Sequence, residues 1–213
     1  MSGRALTIEV YSDVVCPWCY IGKRRLEQAL EALKQRQVAR VVWRPFQLNP
    51  TMPKAGMDRR VYLEAKFGGP GEMKAIQDRV AAVGTSAGID FAFDRVQRTT
   101  NTFDAHRLIW FAQQHDRQDD VVEELFHGYF TEGLDIGEAE ILVSLAVRAG
   151  LDGNQVRRLL RSEEGAGAVR EEEAQGHQLG IRGVPYFVLN GAHTLSGAQP
   201  VETFVSEIEQ ATH

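Results

Sequence analysis

Cysteine is scarce in this chain. Only two of its 213 residues are cysteine, Cys16 and Cys19, so neither a multi-bridge disulfide framework nor a four-cysteine metal site can be built. A CxxC-based zinc site would have to recruit two of six histidines, and none of these shows HxxxH spacing; no metal is expected. There is no basic block, and the formal net charge of −5 is spread over interspersed charges of both signs. That speaks against nucleic acid and anionic membrane surfaces as partners. No apolar run approaches the roughly 20 residues of a transmembrane helix. The start, Met1-Ser2-Gly3-Arg4, leads directly into a strand pattern with no apolar leader region or small-residue cleavage site, so the cytoplasm is the expected compartment. A persistent structural disulfide is unexpected there, whereas a transient catalytic one is not.

What is present is the spacing of the two cysteines. Cys16-Pro17-Trp18-Cys19 follows a run in which Leu6, Ile8 and Val10 alternate with Thr7, Glu9 and Tyr11, the signature of a strand. Pro17 suits the first helical position, and Ile21, Leu26, Leu30 and Leu33 then recur at helical spacing. This puts Cys16 at the helix cap, expected to be exposed, where the helix dipole and unpaired N–H groups lower a thiol pKa. Cys19 lies one turn later on the same face and deeper, close enough to close a disulfide with little backbone movement. A structural staple is a poor explanation, because so short a loop removes only about 2 kcal/mol of unfolded-state entropy, against about 4.7 for a 100-residue loop. A redox-active dithiol is the stronger reading.

Along the chain the ends read as α/β and the middle as α. Residues 40–48 form a second strand interrupted at Pro45, and residues 185–189 a third. Asn190-Gly191 then turns the chain into a strand at His193, Thr194 and Leu195, followed by a C-terminal helix carrying Val201, Phe204, Val205 and Ile208. Between the two halves, helices are expected over residues 57–67, 73–83, 103–114, 121–130 and 138–149, then one opened by an Asp152/Gln155 capping box, and a last one ending near Leu179. The Gly68-Gly69-Pro70-Gly71 stretch is read as a turn.

A βα unit with CxxC, a second strand, a helical insertion and a hairpin entered through Gly183-Val184-Pro185 is the layout of an inserted thioredoxin fold. The run Ser12-Asp13-Val14-Val15-Cys16-Pro17-Trp18-Cys19-Tyr20-Ile21-Gly22, then Pro45-Phe46-Gln47-Leu48-Asn49-Pro50, Asn101-Thr102 with Ala105-His106-Arg107, Gly183-Val184-Pro185-Tyr186-Phe187 and Gly197-Ala198-Gln199 resembles the FrnE-like branch of the DsbA family. The resemblance implies a thioredoxin-like α/β fold, residues 1–50 and 181–213, with a large all-helical insertion, residues 51–180, between the second and third strands. It also implies Cys16 as nucleophile, Cys19 as resolving thiol, and a cis peptide between Val184 and Pro185 facing the pair. Its Val184 backbone groups would then be free to pair with an extended substrate.

Pro17, Trp18, Val184, Pro185 and His106 are the expected substrate-binding residues. Relatives of the oxidising periplasmic kind carry histidine where this chain has Trp18; an indole brings no positive charge, so a less oxidising potential is expected. Glu9 or Asp13 could take the Cys19 proton, although a solvent-facing charge is the expectation for each. His106 and Arg107 line either the cleft or a hydrated helix face. Asn49 reads as a turn residue, and Tyr186 as lining a groove or packing in its strand. The expected activity is thiol–disulfide exchange on protein or small-molecule disulfides, with no cofactor beyond the dithiol and glutathione as a possible co-substrate. The alternative is a glutathione-dependent isomerase or transferase of the 2-hydroxychromene-2-carboxylate isomerase or kappa kind; a non-enzymatic redox sensor is a third.

Overall fold

The computed structural model describes residues 6–33 and 39–212; residues 1–4, on which the expectation of no leader rests, lie outside them. Strand β1 (Leu6–Ser12) buries Leu6, Ile8 and Val10 on one face and turns Thr7, Glu9 and Tyr11 to the other, as a side-chain period of two requires. It pairs in parallel with β2 (Ala39–Pro45) and antiparallel with β5 (Tyr186–Leu189), and β5 pairs antiparallel with β6 (His193–Ser196). The sheet order is therefore β2-β1-β5-β6. β2 stops at Pro45, three residues short of the sequence expectation. Proline has no N–H to continue a ladder. Three residues, 190–192, join the paired Leu189 and His193; Asn190 at φ 50° and Gly191 at φ 72° form the left-handed centre of a turn in which Ala192 N donates to Leu189 O at 3.1 Å.

The two faces of this sheet carry separate cores. On the Ile8–Val10 side lie α1 (Pro17–Leu33) and α9 (Val201–Ala211); Phe187, opposite Val10, meets Phe204 edge-on with ring centres 4.8 Å apart. On the other side Tyr11, Phe46, Ile181 and Val188 form a smaller apolar cluster. Helix α8 (Ala166–Gln178) packs there, so near that a Cβ on Gly176 would sit 2.8 Å from the Tyr11 ring. Arg44 ties this layer together by pairing with Glu9 at 2.8 Å and Glu172 of α8 at 3.0 Å.

Between β2 and β5 lie α2 (Arg59–Phe67), α3 (Pro70–Ser86), α4 (Phe103–Gln113), α5 (Gln118–His127), a π-helical turn (Gly128–Glu132), α6 (Ala139–Arg148), α7 (Gly153–Leu160) and α8. The insertion is not all-helical. Met57–Asp58 (β3) pairs antiparallel with Arg98–Thr99 (β4), a ladder too short to leave a periodic signature. α2 accordingly starts at Arg59, two residues late, with the Asp58 carboxylate accepting from Val61 N at 2.9 Å. α3 starts at Pro70 rather than residue 73, because proline fits the first helical turn. It also runs through Gly84, where the Phe91 ring occupies the place of a Cβ. The Asp152 cap is present, accepting from Gln155 N at 2.8 Å. No helix among the described residues is long and apolar enough to cross a membrane.

α5 closes the open edge of the sheet. Gln118 accepts from Trp43 N at 2.9 Å and donates to Trp43 O at 3.1 Å, while Asp119 accepts from Trp43 Nε1 at 2.9 Å. A side-chain amide thus stands in for the next strand. On the other flank, α1 comes so close to the loop before β5 that a Cβ on Gly22 would sit 3.0 Å from Pro185 Cγ and 3.1 Å from Phe187 Cζ. Gly22→Val should overpack this contact and destabilise the protein by about 1–3 kcal/mol, read as a lower urea midpoint with an unchanged slope.

Candidate active site

Cys16 sits at the N-terminus of α1. Its N–H donates to Asp13 O at 2.9 Å, and its carbonyl accepts from Cys19 N at 3.0 Å and Tyr20 N at 3.4 Å. Both thiols are free. Contrary to the sequence expectation, Cys16 is not exposed: only 5 % of its surface reaches solvent. The Val184–Pro185 loop lies over it, with Cys16 Sγ donating to Val184 O at 3.7 Å, and the peptide between those two residues is cis, as the resemblance implied. Access is from the side, through a cleft of about 420 Å³ that Cys16 lines.

Cys19 lies behind it, 1 % exposed and outside the cleft lining. Burial holds its thiol well above the ordinary range, and the neighbouring Cys16 adds to this; the Ser12 hydroxyl and the Asp13 backbone offset part of the rise. The arrangement is asymmetric: one sulfur faces the cleft and the other is kept protonated beneath it.

The cleft runs from the Cys16 turn to the insertion. Pro17, Trp18 and Val184 line it, and the far wall is apolar, built from Leu63, Phe67, Met73, Ile76, Val80 and Phe93. Pro185 and His106 are not among the lining residues. Pro185 packs against Gly22 of α1 instead. His106 is 3 % exposed and faces inward, so its expected place on the cleft wall is not where it stands.

The carboxylates divide differently from the sequence reading. β1 ends at Ser12, so Asp13 lies in the turn beyond the strand that carries Glu9. Asp13 is 1 % exposed: Oδ2 accepts from Leu48 N at 2.7 Å, and Oδ1 faces His106 Nε2 at 3.6 Å, neither of these last two atoms having a hydrogen-bond partner among the described residues. The turn after β1 drives this carboxylate inward, which overturns the solvent-facing expectation. Glu9 is half-buried and spent on Arg44.

Arg107 lines neither cleft nor hydrated face. It is buried and donates to the carbonyls of Leu159, Ser162 and Glu164, pinning the loop between α7 and α8. Asn49 is a turn residue, its side chain accepting from Thr51 N at 3.2 Å, and it also lines the cleft. Tyr186 packs against the second apolar cluster and stays out of the cleft. Sequence reasoning missed Arg59 and Thr99, which are buried and line the cleft. The available signal was the spacing of Arg59, Leu63 and Phe67, which puts a cation on the apolar face of α2.

A family model described as a DSBA-like thioredoxin domain matches residues 7–209. The chain is 28 % identical over 202 residues to the uncharacterized protein YwbO of Bacillus subtilis, covering 94 % of each. It superposes on a probable DsbA oxidoreductase from Streptomyces coelicolor with a TM-score of 0.90 at 37 % identity, over 97 % of this chain and 89 % of that one. It shares its fold with the cytosolic disulfide reductase DsbM from Pseudomonas aeruginosa, solved with glutathione, at a TM-score of 0.65 and 18 % identity, over 96 % of this chain and 98 % of that one.

Iodoacetamide should label Cys16 of the reduced protein and leave Cys19 unmodified until the chain unfolds; mass mapping of the labelled peptide checks this. The raised Cys19 pKa has a second consequence. Above pH about 8.5 the unfolded chain loses this proton while the fold retains it. The stability contributed by protonated Cys19 is therefore complete below that pH and falls as pH rises toward the folded value. Urea titrations of the reduced protein between pH 7 and 10 should show this decline, and Cys19→Ala should flatten it.

Proposed function

The chain belongs to the DSBA-like thioredoxin domain family, and we propose that it is a thiol–disulfide oxidoreductase whose working pair is Cys16 and Cys19. The observation that carries this reading is the asymmetry of the pair: Cys16 lines the cleft at a helix N-terminus, and Cys19 is held protonated directly behind it.

In the reducing direction the Cys16 thiolate attacks a substrate disulfide, forming a Cys16–substrate mixed disulfide and expelling one substrate thiolate. Cys19 then gives up its proton and attacks the Cys16 sulfur. The second substrate thiol leaves, and two electrons have passed from the dithiol to the substrate. An external thiol restores the pair, and run backwards the same steps oxidise a substrate dithiol. Asp13, buried with Oδ1 unpartnered beside the Cys16 turn, is our candidate for receiving the Cys19 proton.

Pro17, Trp18 and Val184 hold the substrate next to Cys16, and Pro185 acts from behind by fixing the Val184 carbonyl. His106 serves through Asp13 and not by touching substrate. Residues 1–50 and 181–213 supply the dithiol, and the insertion, residues 51–180, supplies the opposite wall. The setting is the cytoplasm, with glutathione as a candidate thiol partner. The resolving thiol argues against the glutathione-dependent isomerase or transferase reading, because Cys19 would expel glutathione from a mixed disulfide on Cys16. Turnover, as opposed to one stoichiometric oxidation, separates the enzyme from a redox sensor.

Cys16→Ser should abolish disulfide reduction, while Cys19→Ser should complete the first attack and accumulate the mixed disulfide, visible as added mass; wild-type turnover in both would defeat the dithiol mechanism. With Trp18 in the motif, equilibration against glutathione should give a potential between about −120 mV and about −270 mV, the periplasmic-oxidant and thioredoxin ends of the scale.

A further inference from the structure

Arg59 is a buried cation with no ion-pair partner among the described residues. It is 7 % exposed, and no carboxylate among the described residues lies within ion-pairing distance of it. Its one side-chain hydrogen bond among the described residues runs from Nη1 to Tyr129 Oη at 3.0 Å, and Nε is buried with no partner. The guanidinium is flanked by the rings of Phe93 and Tyr129, each centred 5.7 Å away. These ring contacts recover only a fraction of what burying a charge costs.

A second buried donor stands at the same wall. Thr99 is 6 % exposed and lines the cleft with Arg59 and Cys16; its Oγ1 lies beside the Tyr129 hydroxyl but has no hydrogen bond of normal geometry among the described residues. Thr99 is held in place by the β3–β4 ladder, directly opposite Met57 and one residue from the pair that leads into α2. The cleft lining has three cations, Arg59, Lys66 and Arg79, against one carboxylate, Asp13, which is occupied by Leu48 N and faces His106. Arg59 also borders a neighbouring groove, which Thr99 and Cys16 do not line. The remaining wall is apolar, and about 420 Å³ suits a small molecule.

We infer that the cleft takes a small substrate with an apolar body and a carboxylate, the acid seated on the cleft wall at the Arg59 guanidinium beside Thr99 and the sulfur-bearing end at Cys16. This refines the substrate class and rests on the proposed thiol–disulfide exchange at Cys16. A carboxylate is the group that both orphaned donors lack: planar, acceptor-only and of opposite charge to the guanidinium. A peptide segment would leave the buried cation unmatched unless it carried an acidic residue on an apolar stretch. Such a segment presents the same chemistry in a larger form, and the small-molecule probe tests that chemistry directly.

The test is ligand protection of Cys16 against iodoacetamide, a neutral reagent, in the reduced protein, with cinnamate as probe and cinnamamide as its uncharged counterpart. Each protein is normalised to its own unliganded labelling rate. Cinnamate should half-protect at a concentration about tenfold or more below that of cinnamamide, the size of one charge-assisted contact. Arg59→Met should bring the two probes together, and Thr99→Val should narrow the gap in part. Thr99→Val also serves as the reporter should Arg59→Met fail to fold. Equal protection by the two probes in the wild type, protection by neither, or a gap unchanged in the substituted proteins would overturn the assignment. Disulfide turnover by the wild type, assayed separately, tells failure of the exchange reaction from failure of this binding mode, since alkylation needs no turnover.

Discussion

The contact between the first turn of α1 and the loop at Val184 and Pro185 is the constraint on which the site depends. It joins two parts of the chain 168 positions apart, through Cys16 Sγ and Val184 O. The sheet makes the meeting possible: β1 delivers Cys16 at its C-terminal end, and β5, antiparallel beside it, starts where β1 ends, with Tyr11 opposite Tyr186. Gly22 permits the close approach, since any larger residue there meets Pro185 and Phe187. Once these two segments are locked, Cys16 has one open side, and what covers that side determines what the thiol can meet.

That cover is the insertion, and its inner surface is not uniformly apolar. Between the sheet and α4 lie Asp13 and His106; toward α2 lie Arg59, Tyr129 and the threonines of β4 and the segment after it, all buried. Several of their polar atoms have no hydrogen-bond partner among the described residues, a costly condition inside a protein. Elsewhere the buried charges are matched: Arg107 is engaged by loop carbonyls and Asp104, Lys23 on α1 is surrounded by Glu27, Asp119 and Glu123, and the Glu123 and Glu124 oxygens of α5 that lack hydrogen bonds lie in ion pairs with Lys23 and Arg148. The buried polar atoms matched by neither hydrogen bond nor ion pair thus include Asp13 Oδ1, Arg59 Nε and Thr99 Oγ1, on residues that line the same cleft as Cys16.

Much of this was legible in residue order. The alternation of Leu6, Ile8 and Val10, Pro17 at a helix start, Asn190-Gly191 at a hairpin and Asp152 at a cap are local signals, each acting over a few residues, and each appears where it was read. The β3–β4 ladder was invisible because two residues carry no period. The start of α3 at Pro70 was misjudged because proline and glycine serve both turns and helix openings.

Sequence by itself determined the dithiol, its seat at the end of a strand and the start of a helix, and the order of elements around it, because spacing and propensity are properties of neighbours in the chain. Tertiary structure alone decided that Cys16 is covered, that Asp13 turns inward to His106 while Glu9 goes to Arg44, and that Arg59 and Thr99 share a cleft with the thiol. Burial and the pairing of charges are set by residues far apart in the chain. Whether a polar atom finds a partner is known only once every segment able to supply one has been packed against it.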